Sequence, residues 1–290
     1  MSSAIDKLKN LTNIKKRLVL LPVSRKRAMV KPLTVADDLT LRTIITSPDI
    51  YDKELAKLIY KHVELVDDET DKPKQTTFAA FCDAIADIDR KVLIWGLYDV
   101  TYKSIGKQAI TCPSCKEKFD DEISSDQVIH PDFATFWDID TPYKDYRFPV
   151  TINVPEVEMD RIVFNTKLPS INDHIEVLKF ISQATLKDNF DKFNTILSKS
   201  EELTLITDSI HIYDTVDGEP DIISDRQEIY QAIKNFITFD DTRDVVTAYN
   251  KEFNKFNPTF KKEYTCSSCS HEFDFFIDFE ILFFQSFLGV

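Results

Sequence analysis

Residues 111–123 read TCPSCKEKFDDEI, and residues 265–277 read TCSSCSHEFDFFI. Aligned without a gap, they share Thr111/Thr265, Cys112/Cys266, Ser114/Ser268, Cys115/Cys269, Phe119/Phe273, Asp120/Asp274 and Ile123/Ile277. A Cys-x-x-Cys turn presents two thiolates to one ion, and a structural zinc takes four in a tetrahedron. Each stretch supplies only two, so the pattern predicts one shared, structural Zn2+ per chain, bound by Cys112, Cys115, Cys266 and Cys269. Four thiolates leave no open position for water or substrate. The further candidate ligands, His271 and His130, have no counterpart in the other stretch, where Glu117 stands opposite His271. An ion shared by segments so far apart closes a long loop and pins the two ends of the chain, acting on the unfolded state much as a disulfide does.

The sequence upstream of each stretch repeats as well. Residues 17–22 (RLVLLP) and 27–33 (RAMVKPL) read as a hairpin, as do RFPVTINVP at 147–155 and DRIVFNTKLP at 160–169. Thr34–Asp37 and Ser170–Asp173 then have the spacing of a helix cap whose acid returns the hydrogen bond. Apolar positions follow at Leu39, Leu41, Ile44 and Ile45, and at Ile175, Val177, Leu178, Phe180 and Ile181. Residues 33–47 therefore align with 169–183, Asp37 meeting Asp173.

Further helices are predicted over residues 47–65 and, as their mirror, 190–203. The longer stretch at 203–222 reads as an inserted hairpin ending at Asp217-Gly218. Ser224–Gln227 caps a helix carrying Ile229, Ile233, Phe236 and Ile237, whose counterparts are Phe78, Phe81, Cys82 and Ile85. Acidic corners at 87–90 and 239–243 lead on to the cysteines, and in the first of them Asp89 and Arg90 are expected to pair. The expected fold is α+β, with two pseudo-repeated halves, each a β-hairpin, helices and a Cys-x-x-Cys knuckle, joined through a zinc-ribbon-like site of four cysteines. Its divisions are an N-terminal arm (1–14), the first repeat and knuckle (15–125), a linker (126–146), and the second repeat with knuckle and aromatic tail (147–290).

Composition narrows the function classes. At 290 residues, 43% hydrophobic and 12% aromatic, the chain can bury a substantial core. Its net charge is -13, yet residues 1–31 hold nine Lys and Arg against the single acid Asp6. An acidic body is a poor match for nucleic acid, whose binding needs a basic surface. The basic segment from Ile5 to Lys31, with a helical stripe of Ile5, Leu8 and Leu11, suits an acidic partner or the chain's own acidic body.

No apolar run reaches the roughly 20 residues of a membrane span. The N-terminus lacks a signal-peptide core, so neither membrane insertion nor secretion is expected. With four glycines there is no phosphate loop, and the five histidines form no HExxH pattern. Cys82, among apolar residues, reads as core rather than nucleophile. The aromatic end EFDFFIDFEILFFQSFLGV should be buried, in the core or against another subunit.

The succession PLTVADDLTLRTII, SPDIYDKELAKLIYKH, FCDAIADIDRKVLIWGLYDVTY and ITCPSCKEKF, then CSSCSHEFDFFI and an aromatic tail, resembles the T4-type phage baseplate hub and hub-assembly proteins over residues 15–290. The resemblance implies a non-enzymatic structural or assembly protein that contacts other baseplate, hub or tape-measure proteins. Its place would be the virion tail baseplate, or the host cytoplasm during assembly. Of the site residues only Cys112, Cys115, Cys266 and Cys269 carry over, and Lys116 and Ser270 stand where such knuckles often place glycine. Two other classes share the cysteine pattern. A zinc-ribbon transcription or nucleic-acid-binding factor would use the basic segment on a polyanion, and a thiol oxidoreductase would cycle Cys112-Pro113-Ser114-Cys115 without metal.

Overall fold

The computed structural model describes residues 15–45, 51–67, 70–102, 104–129, 136–153, 161–185, 199–213 and 218–288. The arm at 1–14 lies outside them, as do His130 and residues 190–198 of the helix expected at 190–203.

Strands β1 (Arg17–Leu21) and β2 (Lys26–Val30) pair antiparallel, and β3 (Val63–Val66) adds to the other side of β2. Two helices, α1 (Val35–Ile45) and α2 (Tyr51–His62), separate β2 from β3 in the chain. Alternation turns Val19, Leu21, Ala28, Val30, Val63 and Leu65 to one buried face. Helix α3 (Phe78–Ala84), capped by Thr77, leads through a short 3-10 turn into α4 (Arg90–Tyr102), which lies across that face. The crossing is close at Gly96, where a Cβ would sit 3.0 Å from Val19 Cγ1 and 3.3 Å from Val30 Cγ2.

The second part follows a similar order with one strand added. Strands β6 (Phe148–Asn153) and β7 (Arg161–Thr166) are followed by α5 (Ile171–Thr185), α6 (Lys199–Ile206), β8 (Thr207–Tyr213) and a short β9 (Asp221–Ile223). The four strands form one antiparallel sheet in chain order. Helices α7 (Arg226–Phe236) and α8 (Phe239–Phe253) close one face of it around Phe164, Ile210, Ile229, Ile233, Val245 and Val246. The α7 cap is Asp225, one residue later than the expected Ser224, its carboxylate accepting the amides of Gln227 and Glu228.

The stretch expected as an inserted hairpin is corrected in its first part, where Leu203–Ile206 complete α6. These residues are buried on every side, so the run carries no helical period that the sequence could display. The Thr204 and Thr207 hydroxyls donate to the carbonyls one helical turn back, of Ser200 and Leu203.

The two parts share a core. Ile171 and Ile175 of α5 pack into the first cluster, as do Phe279 and Phe283 of the last helix, α9 (Phe279–Leu288). The apolar end is thus buried in part, with Ile281 left on the surface. The stretch read as a linker contributes Trp137 and Tyr143 to a third cluster with Leu168, Phe253 and Phe256, and so packs as core. Among the described residues no helix is long and apolar enough to cross a membrane.

The expected Asp89–Arg90 pair is not formed. Neighbouring residues at a helix start diverge. Buried Asp89 accepts the amides of Val23 (3.2 Å) and Ser24 (2.7 Å) and so fixes the β1–β2 turn. Arg90 instead meets Asp52 at 2.6 Å and Asp87 at 3.6 Å, and Asp87 also holds His174 Nδ1 at 2.9 Å. Burial pushes the Asp89 carboxyl up to about 6. Burial also opposes charge on Asp87 and His174, but Arg90 and His174 bring Asp87 down to about 2, and Asp87 raises His174 above its usual range.

A raised acid stabilises the fold in its protonated state, so the Asp89 contribution declines as pH rises from about 4 to 6. That of His174 is full below its unfolded value and is lost as pH rises through its raised one, whereas Asp87 loses its contribution only on acidification toward about 2. Denaturation midpoints measured across pH should therefore fall from about pH 4 to about pH 6, and further as pH rises through the raised His174 value. Asp89→Asn should flatten the lower part of that slope and His174→Gln the upper. Gly96→Leu should cost at least about 2 kcal/mol in the same assay, by overpacking the α4 crossing.

Candidate metal centre

Each cysteine pair sits in the loop of a two-stranded hairpin. The first joins β4 (Ser104–Thr111) to β5 (Lys118–Ser124), and the second joins β10 (Phe260–Thr265) to β11 (Glu272–Ile277). Thr111 faces Lys118 and Thr265 faces Glu272, so equal loops hang from equal registers.

The loops close by the same bonds. Cys112 N–H donates to the Glu117 carbonyl (2.9 Å) and Lys116 N–H to the Cys112 carbonyl (3.0 Å). In the other loop Cys266 N–H donates to the His271 carbonyl (2.9 Å) and Ser270 N–H to that of Cys266 (2.8 Å). The turn requires a left-handed residue before its last position, and Lys116 (φ 64°) and Ser270 (φ 58°) adopt that conformation without being glycine. The departure from the usual knuckle residue is accommodated in the backbone.

The hairpins meet so that the sulfurs of Cys112, Cys115, Cys266 and Cys269 all lie within 4.8 Å of one another. Across the junction Cys112 Sγ is 3.8 Å from Cys269 Sγ, and Cys115 Sγ is 3.6 Å from Cys266 Sγ. A disulfide would need about 2.05 Å. Four sulfurs at the roughly 2.3 Å zinc bond length, arranged tetrahedrally, stand about 3.8 Å apart. The donor set and its spacing therefore fit a tetrahedral metal ion, and the cluster could hold one. In each loop the first cysteine is buried and the second exposed, so each close pair joins a buried sulfur to an exposed one.

The knuckle amides favour a thiolate. Burial raises the Cys112 thiol, but amides of Cys115 and Ser114 and neighbouring thiols outweigh it and bring the group down to about 7. Glu117 N–H draws Cys115 down, but the crowd of other thiols pushes it up to about 12.

Contacts that the sequence did not signal hold the hairpins together. Asp121 accepts from Lys262 Nζ (2.6 Å) and from Tyr264 Oη (2.8 Å), its carboxyl kept low chiefly by the Lys262 bond. Phe119 packs edge-on to Tyr264 at 5.6 Å. Ile129 and Lys261 exchange backbone hydrogen bonds of 2.8 and 3.0 Å. Only the spatial crossing of the hairpins brings these residues together, since neither Asp121 nor Tyr264 belongs to the matched pattern of the two stretches.

The remaining candidates fall elsewhere. The His271 ring stacks on Phe273 at 6.2 Å, outside the four-sulfur cluster. Cys82 is buried in the first core, its thiol pushed up to about 12 mainly by that burial. No protein-family model, curated protein or solved structure matches the chain.

Because Lys116 and Ser270 carry side chains in a glycine conformation, Lys116→Gly and Ser270→Gly should each stabilise the fold by about 0.5 kcal/mol, the relieved strain exceeding the added chain entropy. Chemical denaturation checks this, with bound metal expected to be unchanged.

Proposed function

We propose that the four cysteines bind one structural Zn2+ per chain, and that the protein is a non-enzymatic structural or assembly component acting through protein–protein contacts. The observation that carries this reading is the convergence of four thiols, from loops about 150 residues apart, at the sulfur spacing of tetrahedral zinc. A bound zinc supplies a closed, redox-inert cross-link. The Asp121, Lys262 and Tyr264 contacts hold the two hairpins in register, and the knuckle amides stabilise the thiolates.

The two parts of the chain are read as copies of one duplicated unit. Both run strand, strand, helix, helix, strand, helix, helix, knuckle, with the short strand β9 added after β8 in the second. The caps agree in detail, as Thr34 N–H donates to Asp37 Oδ2 at 2.7 Å and Ser170 N–H to Asp173 Oδ2 at 2.9 Å. The ion sits where the ends of the two copies meet.

Placement of this scaffold in the hub of a contractile phage-tail baseplate, among baseplate, hub or tape-measure proteins, rests on the sequence resemblance. Metal analysis of the purified chain should give one zinc, lost in Cys112→Ser and in Cys266→Ser with a lower melting temperature. Two zincs per chain, or a reversible dithiol with no metal, would sink the clamp. Isolation from the native source should bring down tail components. Polyanion binding that weakens steeply with salt would instead favour a zinc-ribbon nucleic-acid factor.

A further inference from the structure

Within the chain, a corner of the first half grips the first helix of the second. Ile171 N–H donates to the Ile85 carbonyl at 3.0 Å and Asp87 N–H to the Pro169 carbonyl at 2.8 Å, so that Ala86 and Ser170 form a short bridge. Ile171 and Ile175, one turn apart on α5, are thereby 0% and 7% exposed in the first core.

Both partners of this contact occur a second time. Helix α7 ends at Ile237 (φ -91°, ψ 132°) as α3 ends at Ile85 (φ -113°, ψ 126°). Thr238 (φ -71°, ψ 161°) then stands where Ala86 (φ -62°, ψ 136°) does. Phe236 and Phe239 thus take the places of Ala84 and Asp87. The start of α1, with the Thr34–Asp37 cap, corresponds to the start of α5, and Val35 and Leu39 take the places of Ile171 and Ile175.

The second set is turned to the surface. Val35 is 84% exposed, Leu39 65%, Phe236 82% and Phe239 72%. Large apolar side chains paired on matching elements in this way mark an interaction surface. The covering surface has a template inside the chain.

We propose that the Phe236–Phe239 corner of one copy docks on the Val35 and Leu39 face of α1 in a second copy, repeating between chains the contact that joins the halves within one. The inference rests on the duplication reading above. Its chemistry is apolar at Phe236, Phe239, Val35 and Leu39, and the ion pair that Asp87 makes with His174 inside the chain is not repeated, since Phe239 and Asp38 stand at those two positions. Because the two surfaces differ, the contact is heterologous and runs head to tail, closing into a ring or extending.

Mass measured by light scattering and sedimentation on the full chain tests this. The wild type should associate with rising concentration. Val35→Asp and Phe239→Asp should each weaken association at least about 30-fold. Both substitutions place an acid in the first turn of an exposed helix, where it is favourable, so folding should persist. An equal mixture of the two variants keeps one intact pair of surfaces and should give a 1:1 dimer that does not grow. A wild type that stays monomeric to its solubility limit would overturn the proposal. So would association that Val35→Asp leaves unchanged, or a mixture that fails to pair. Zinc content of the same samples separates the two readings, since a zinc-loaded monomer defeats the docking and leaves the clamp standing. A metal-free chain defeats the clamp, and its mass still decides the docking.

Discussion

The meeting of two hairpin loops at four sulfurs is the constraint on which the rest of the molecule depends. Each loop places one sulfur inward and one outward, and only when the loops face each other do all four come within 4.8 Å. That arrangement requires the last strands of both parts to lie side by side. Lys262, Tyr264 and Asp121 fix their relation, and Trp95 of α4 stacking on Phe260 at 5.5 Å anchors β10 to the first core. The sulfur cluster therefore caps an interface that side chains and backbone already define.

A second junction works by different physics. At the α3–α4 corner, backbone bonds to residues 169–171 align the two parts, and Asp52, Asp87, Arg90 and His174 form a partly buried charge network beside it. Ions removed from water are costly unless each finds partners, and here every charge is shared. The network accordingly matters more for specifying how α5 lies against the first core than for net stability. Asp89, turned the other way, satisfies the amides of a buried turn at the expense of its own ionisation.

The two parts have similar orders of elements, with β9 added in the second, but expose different surfaces. The first part's corner and the second part's leading helix are sealed against each other, while Phe236 and Phe239 at the second part's corner and Val35 and Leu39 on the first part's leading helix face solvent. The duplication proposed above would give the chain two copies of every interface.

Much of the site was legible in the linear order of residues. The spacing of two Cys-x-x-Cys turns within matched flanks identified the four ligand candidates, because a turn of that length presents both sulfurs to one side whatever surrounds it. Hairpins at 17–30 and 148–166 and the Thr34 and Ser170 caps were equally local and equally readable. Misreadings arose where tertiary burial overrides pattern, as in the all-buried Leu203–Ile206 and the packed Trp137 and Tyr143 of an apparent linker.

The sequence by itself determined which residues turn, cap and carry thiols, since those properties are settled within a few positions of backbone. Only the tertiary structure decided that the thiols converge, that Arg90 reaches Asp52 and Asp87 instead of Asp89, and that Asp121 meets Tyr264. Those contacts depend on how distant elements cross, and no local run of residues encodes that geometry.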